Sequence, residues 1–260
     1  MAQFSAVRQK NLFNADLHEV VMIADKDGNV LNTSGAASNI PLAAGEVSGY
    51  QHIHKFGATD GDVIGGTVWD GNTAALEYPY PVDGVLTVTS PSDLGELVII
   101  QGLDSDWNQQ EETIAIGDTG LLTFKRVFRV QMASTVNVDD VTITQSTVVV
   151  AKMIAGLAQS LMAVYTVPAG KTAYILDVHF GSDKSATNTA MTYRIFCREF
   201  LDGGVFRILG NYSTAGGQTL NLQYPVPLRV TEKCDIKVDV VAAQATSVSA
   251  TFDIILVDNV

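Results

Sequence analysis

Apolar residues in this chain recur at every second position far more often than at helical spacing. In the last such run Val248, Ala250, Phe252, Ile254 and Leu256 alternate with Ser249, Thr251 and Asp253. Successive side chains of a strand point to opposite faces, so this pattern predicts a strand with one buried face. The run Thr172 to Phe180 reads the same way, with Tyr174, Leu176, Val178 and Phe180 on the inward face. Further strands are predicted at 63–69, 84–89, 97–100, 112–116, 121–130, 141–150 and 162–167, and again near 190–200, 204–209, 218–224 and 234–242. The breaks between them hold turn formers: Asp70-Gly71-Asn72, Pro79 and Pro81, Ser90-Pro91-Ser92, Gly117-Asp118 and Pro168-Ala169-Gly170. Turn signals spaced about eight to twelve residues apart are the mark of a sandwich or barrel.

The expected fold class is therefore all-β, with two β-sandwich (jelly-roll-like) domains and an N-terminal arm. An apolar run at 20–24, the turn Asp25-Lys26-Asp27-Gly28-Asn29 and Val30-Leu31 predict a hairpin, because Asp-Gly supplies the positive φ of a tight turn. Residues 32–50 are small and nearly uncharged, and read as a linker or an arm laid on a neighbour. The expected division is 1–49 hairpin and attachment arm, 50–150 acidic β-sandwich, and 151–260 C-terminal jelly-roll-like sandwich. Residues 151–160, AKMIAGLAQS, offer a short Gly-broken helical turn, and the boundary is placed there.

Charge changes the picture more than overall composition does. The 260 residues carry 16 Lys+Arg against 28 Asp+Glu, a formal net charge of −12. Residues 51–150 hold 4 basic and 14 acidic side chains, so nearly all the excess sits in the middle of the chain. Such a surface repels phosphate backbones, and no basic run interleaved with aromatics compensates, so nucleic acid is not expected as a partner. An acidic surface keeps a protein dispersed in water. No stretch approaches the roughly 18 apolar residues of a membrane helix, and MAQFSAVRQK lacks the apolar core of a signal peptide. Membrane insertion and export by the usual secretory route are therefore not expected.

Candidate chemistry is sparse. Cys197 and Cys234 each share a strand face with an isoleucine and are expected as two buried thiols, a bridge or a reactive nucleophile being the rival readings. His52 and His54 project to one face of a strand at ligand spacing. A metal site needs more ligands, and His18 and His179 lie in other segments, so a turn or interface pair is expected and no metal site. The 25–29 loop alternates Asp25, Asp27 and Asn29 as a calcium loop does, but Ala36 stands where a closing Glu would be needed. Neither a GxSxG elbow, a Walker loop nor a dinucleotide fingerprint is present. Carboxylate pairs occur at Asp60/Asp62, Asp104/Asp106 and Glu111/Glu112, numbers that chance supplies in so acidic a region. No cofactor and no catalytic residue is expected. Trp69, Tyr78, Tyr80 and Trp107 lie in or beside predicted loops, where aromatic rings make glycan or subunit contacts.

Three segments carry a likeness. They are His52-Ile53-His54-Lys55-Phe56-Gly57; Val98 to Asp104 with Glu111 to Ile114; and Pro227-Leu228-Arg229-Val230, Glu232 to Val238 and Ser249 to Asn259. Together they resemble virion structural proteins of tailed phages infecting aquatic bacteria, over most of residues 50–260. The resemblance implies a non-enzymatic decoration, head-fibre or neck-tail accessory protein, assembled in the host cytoplasm and resident in the virion. It implies capsid or neck/tail proteins as partners, a homo-oligomer with a trimer favoured, and as an alternative a module that binds a host surface glycan.

Overall fold

The computed structural model describes residues 23–24, 30–31, 40–80, 82–183, 190–200 and 204–259. The chain divides into two compact units, Met1–His52 and Ile53–Val260. In the first, β1 (Ile23–Ala24) pairs antiparallel with β2 (Val30–Leu31), Ile23 opposite Leu31, as the hairpin reading requires. Its turn, His18, Ala36 and most of the small-residue segment lie outside the described residues; a four-residue helix, α1 (Ile40–Ala43), follows.

The second unit is all-β and holds two cores. One is enclosed by two sheets. The first runs β11 (Val164–Thr166), β16 (Cys234–Thr246), β13 (Ala190–Glu199), β14 (Phe206–Ala215), with β4 (Val63–Thr67) also on β16. The second runs β15 (Leu220–Val230), β12 (Lys171–Ser182), β17 (Val248–Asp258), β3 (Tyr50–Ala58). Between them lie Ile175, Val178, Phe180, Tyr193, Ile195, Ile236, Val238, Phe252 and Ile254. The other core lies between β10 (Val148–Met153), β9 (Val141–Gln145) and β5 (Leu86–Thr89) on one side and β7 (Gln109–Ala115), β6 (Leu97–Leu103) and β8 (Arg126–Met132) on the other. Leu86, Val98, Ile100, Phe124, Val130, Ile143 and Met153 fill it.

The division differs from the contiguous one expected. β3 and β4 belong to the sheets of the C-terminal sandwich, so that sandwich takes strands from both sides of the 69–162 insertion. Residues 151–153 continue β10 and are not helical. The crossing of β3 is tight at Gly57, where a Cβ would stand 2.2 Å from Ala163 N and 2.6 Å from Val68 O. Only a residue without a side chain fits that passage.

Alternation holds throughout β17, whose Val248, Ala250, Phe252, Ile254 and Leu256 are all buried. In β12 it does not. Ala173 and Ile175 point inward, then a bulge between Ile175 and Asp177 shifts the phase, and Val178 and Phe180 take over. Tyr174 and Leu176, expected inward, are half-buried, because one extra residue in a strand reverses every later side chain. The same slip turns Asp177 outward onto the face of His179.

The two cysteines are not free thiols. Cys197 on β13 stands opposite Ile236, and Cys234 opposite Glu199, which makes the sulfurs diagonal neighbours on the inner face, and they form a disulfide with a Cα–Cα distance of 6.4 Å. The single-sequence preference for thiols overlooked that two inward cysteines on adjacent strands can fall within bridging reach.

Two predictions follow from these contacts. The bridge closes a loop with a sequence separation of 37, so replacing both cysteines by alanine lowers unfolding free energy by about 3–4 kcal/mol through the unfolded chain's regained entropy, readable from urea midpoints. Asp93 accepts from Val138 N at 2.7 Å, Asp139 N at 3.0 Å and Ser90 Oγ at 2.8 Å, and these bonds hold its carboxyl below the ordinary value. A carboxylate lowered on folding stabilises above its unfolded value and loses that contribution as pH falls through the folded one. Asp93→Asn therefore costs about 1–3 kcal/mol at pH 7 and flattens the fall in stability below about pH 4, which a pH series of thermal melts checks.

Candidate functional site

Strand β16 is buried on both faces. Cys234, Ile236, Val238 and Val240 point into the C-terminal core, while Asp235, Lys237 and Asp239 point the other way and are buried too. Charged side chains survive such burial only when paired and hydrogen-bonded. What pairs them comes from both sandwiches.

Asp235 is fully buried. Within its own sheet it lies between Thr166 of β11 and Arg198 of β13, its register partners. Thr166 Oγ1 donates to Oδ1 at 2.6 Å, and Arg198 donates to Oδ2 from Nε at 2.9 Å and from Nη2. From the other sandwich, Arg126 at the start of β8 donates Nε to Oδ1 at 2.8 Å and Nη2 to Oδ2 at 3.0 Å, a two-pronged pair. Each carboxylate oxygen thus accepts from at least two donors.

Aromatic rings enclose the two guanidiniums. Arg126 lies 5.0 Å from the centroid of Trp107 and 5.5 Å from Tyr80 and Phe200; Arg198 lies 4.5 Å from Tyr80 and Phe206. Arginine is weakly hydrated and stacks well on such faces. A second pairing runs beside the first. Lys237 meets Glu77 and, at 2.6 Å, Asp239, whose other oxygen accepts from Thr67 Oγ1 at 2.9 Å. Burial pushes the Asp239 carboxyl above its ordinary value, and the Lys237 ammonium opposes that shift.

The four aromatics singled out in the sequence fall into this assembly in different ways. Trp69 and Tyr78 are 3% and 4% exposed, edge to face at 5.3 Å, so neither ring face is open to a sugar. The Tyr78 hydroxyl donates to Val127 O at 2.7 Å, and burial raises it far above its ordinary value. Tyr80 continues the line, edge to face with Tyr78 at 4.9 Å and tilted on Phe206 at 5.3 Å, capping both arginines. Trp107 keeps a half-exposed ring above Arg126, with Lys125 on the same ring at 5.2 Å. Tyr80 and Trp107 thus cover the arginines, while Trp69 and Tyr78 are buried in the second core.

The carboxylate pairs serve turns and surface contacts. Asp104 accepts from Asp106 N at 2.9 Å and Asn108 N at 2.8 Å, Glu112 from Leu121 N at 2.6 Å, Glu111 from Gln101 at 2.9 Å, and Asp60 pairs with Lys152 at 2.5 Å. Cys197, Glu199 and Cys234 bring three ligand atoms within 4.8 Å of one another, but the two sulfurs are bonded to each other and supply no thiolate. Asp253 Oδ1 accepts from His54 Nδ1 at 2.8 Å, with His179 and Asp177 nearby on the same sheet. Among the described residues no helix is long and apolar enough to cross a membrane.

No family model matches the chain, and no curated protein does. Among solved structures, the Gt strain of infectious bursal disease virus aligns at 12% identity over 81% of this chain and 72% of that one, with a TM-score of 0.22. The virus-derived T=1 particle aligns at 14% over 82% and 71%, TM-score 0.21, and the VP2 subviral particle at 11% over 82% and 77%, TM-score 0.20.

Arg126, Arg198 and Asp235 hold the two sandwiches at a fixed junction. Asp235→Ala leaves two buried guanidiniums without their counter-ion and is expected to cost about 3–5 kcal/mol in urea unfolding. Trp107 rests on Arg126, so the fluorescence of that ring moves in the folded variant before global unfolding.

Proposed function

We propose that this chain is a non-enzymatic structural component of a tailed-phage virion, a capsid decoration or head-fibre protein that acts by packing against its own copies and against capsid or neck and tail proteins. Support comes first from the sequence resemblance over residues 50–260. The observation that carries the reading is the β14–β15 flank. These strands of ten and eleven residues end their two sheets, and among the described residues nothing pairs with their outer edges. They face each other across the sandwich, the Tyr212 and Tyr224 hydroxyls 2.7 Å apart.

That flank is unusual in its chemistry. Tyr212, Leu220, Leu222, Tyr224 and Leu228 cover the core while staying partly exposed, and Val205, Ile208, Leu209 and Val226 are 60%, 54%, 38% and 79% exposed. Residues 204–231 contain no Asp or Glu and two Arg, in a chain of net charge −12. Isolated proteins guard a long edge strand with charge or with a covering element. An edge that is apolar and free of acids suits burial against another subunit, and a trimer about such a flank would leave the acidic sandwich outward. The glycan-binding alternative draws less support, since Trp69 and Tyr78 are buried and Tyr80 and Trp107 lie against the junction arginines.

Light scattering of the purified chain is expected to give a homo-oligomer, with the trimer as the favoured size, and Val226→Asp or Leu209→Asp to reduce it to monomer. Mass spectrometry and cryo-electron microscopy of purified virions should then find the chain in the particle. A wild-type monomer, or particles lacking the chain, would overturn the proposal.

A further inference from the structure

The disulfide and the buried ion pair occupy the same short stretch of two strands. The last rungs of the β13–β16 ladder are Cys197 opposite Ile236, Arg198 opposite Asp235 and Glu199 opposite Cys234. The bridge joins Cys197 in the first of these rungs to Cys234 in the third, so it straddles the rung that carries the junction. Neighbouring side chains of a strand face opposite ways, which puts the sulfurs against the C-terminal core and the charges against the other sandwich. A covalent link on one face thus fixes the spacing of an ion pair on the other.

Ladder ends are where a sheet opens most readily, and the two strands are held there unequally. The start of β16 has a second neighbour in β11: Thr166 is in register with Asp235, and Val167 N donates to Cys234 O at 3.0 Å. β13 is held from its other side by β14, with Arg198 opposite Phe206, but β14 ends the sheet, so the two strands can lift together as a hairpin. The ion pair resists such lifting weakly, because a desolvated carboxylate and guanidinium regain their hydration when they part. The hairpin end also carries the cover of the junction. Arg198 supplies two donors to Asp235 Oδ2, Phe206 lies 4.5 Å from Arg198, and Phe200 lies 5.5 Å from Arg126 and 5.0 Å from Trp107.

We propose that the Cys197–Cys234 bridge is a redox clamp on the junction: when it is reduced both sandwiches stay folded, and the end of the β13–β14 hairpin lifts from Asp235. This effect in the folded chain is separate from the entropy that the bridge removes from the unfolded one. A dithiol reductant supplies the chemistry. Its thiolate attacks Sγ of Cys197, a residue 6% exposed where Cys234 is sealed, the S–S bond breaks, and Cys234 leaves as a thiolate that takes up a proton. The reductant's second thiol then displaces Cys197 in the same way, so two electrons and two protons pass to the chain and the reductant closes into its own disulfide. Oxidation by a small-molecule disulfide runs the exchange backwards and seats Arg198 again. The inference rests on the ladder alone and is independent of the virion reading.

The test is native-state hydrogen exchange of the full chain, read by mass spectrometry, in three forms: oxidised, reduced to two titratable thiols, and as the Cys197→Ala/Cys234→Ala double variant. The double variant reports even where reductant fails to reach the bridge. In the bridge-free forms, peptides covering Arg198, Glu199 and Phe206 are expected to lose more protection than those of β12 and β17. The Trp107 ring, uncovered by Phe200, is expected to quench more steeply with iodide. A loss of protection spread evenly over the sandwich sinks the proposal, as does Trp107 quenching unchanged without the bridge, or two free thiols in the air-oxidised chain.

Discussion

The architecture turns on one buried carboxylate. Asp235 is sealed from water at the seam of two cores, and it is tolerable there only because Arg198 and Thr166 reach it within its own sheet while Arg126 reaches it from the neighbouring sandwich. Hydrophobic contact between two sandwiches permits many relative orientations, since apolar surface is not directional. A two-pronged arginine pair permits few. The charged row on β16 therefore sets how residues 69–162 sit on the C-terminal sandwich, and the rings of Tyr80, Trp107, Phe200 and Phe206 exclude the water that would weaken it.

This also explains which parts of the fold were legible in the sequence. Strands with one solvated face announce themselves by alternation, as β17 does from Val248 to Leu256. β16 does not, because Asp235, Lys237 and Asp239 are outward in its sheet yet buried against a second body, and a polar residue in a sequence looks solvated whatever covers it. The bulge in β12 was hidden for a related reason: Tyr174 and Leu176 are as apolar as Ala173 and Ile175, so the pattern carries no mark of where the phase slips. The all-β class was readable. The interleaving of β3 and β4 into the C-terminal sheets was not, since pairing partners as far apart as Thr67 and Asp239, 172 residues, leave no local signal.

The aromatic set teaches the same lesson about sites. Trp69, Tyr78, Tyr80 and Trp107 read in the sequence as loop aromatics for glycan or subunit contacts, but Tyr80 and Trp107 pack on Arg126 and Arg198, residues with no sequence pattern linking them to those rings. A loop aromatic is presented to solvent only when nothing beneath it needs cover. Here two guanidiniums lie against Tyr80 and Trp107, and those two rings cover them.

The two sheets of the C-terminal sandwich put their outer faces to opposite uses, and the difference is one of solvent access. On the β16 face, carboxylates and cations are in near balance and sealed, so each charge has a fixed protein partner. On the β12–β17 face, Asp177 and Asp253 stand side by side as register partners, and His179 and His54 meet them at the solvent boundary. Burial, together with the neighbouring Asp253 carboxylate, holds the Asp177 carboxyl above its ordinary value. A proton held between two adjacent carboxylates relieves their repulsion, so on this face the solvent can supply what a fixed protein partner supplies on the other.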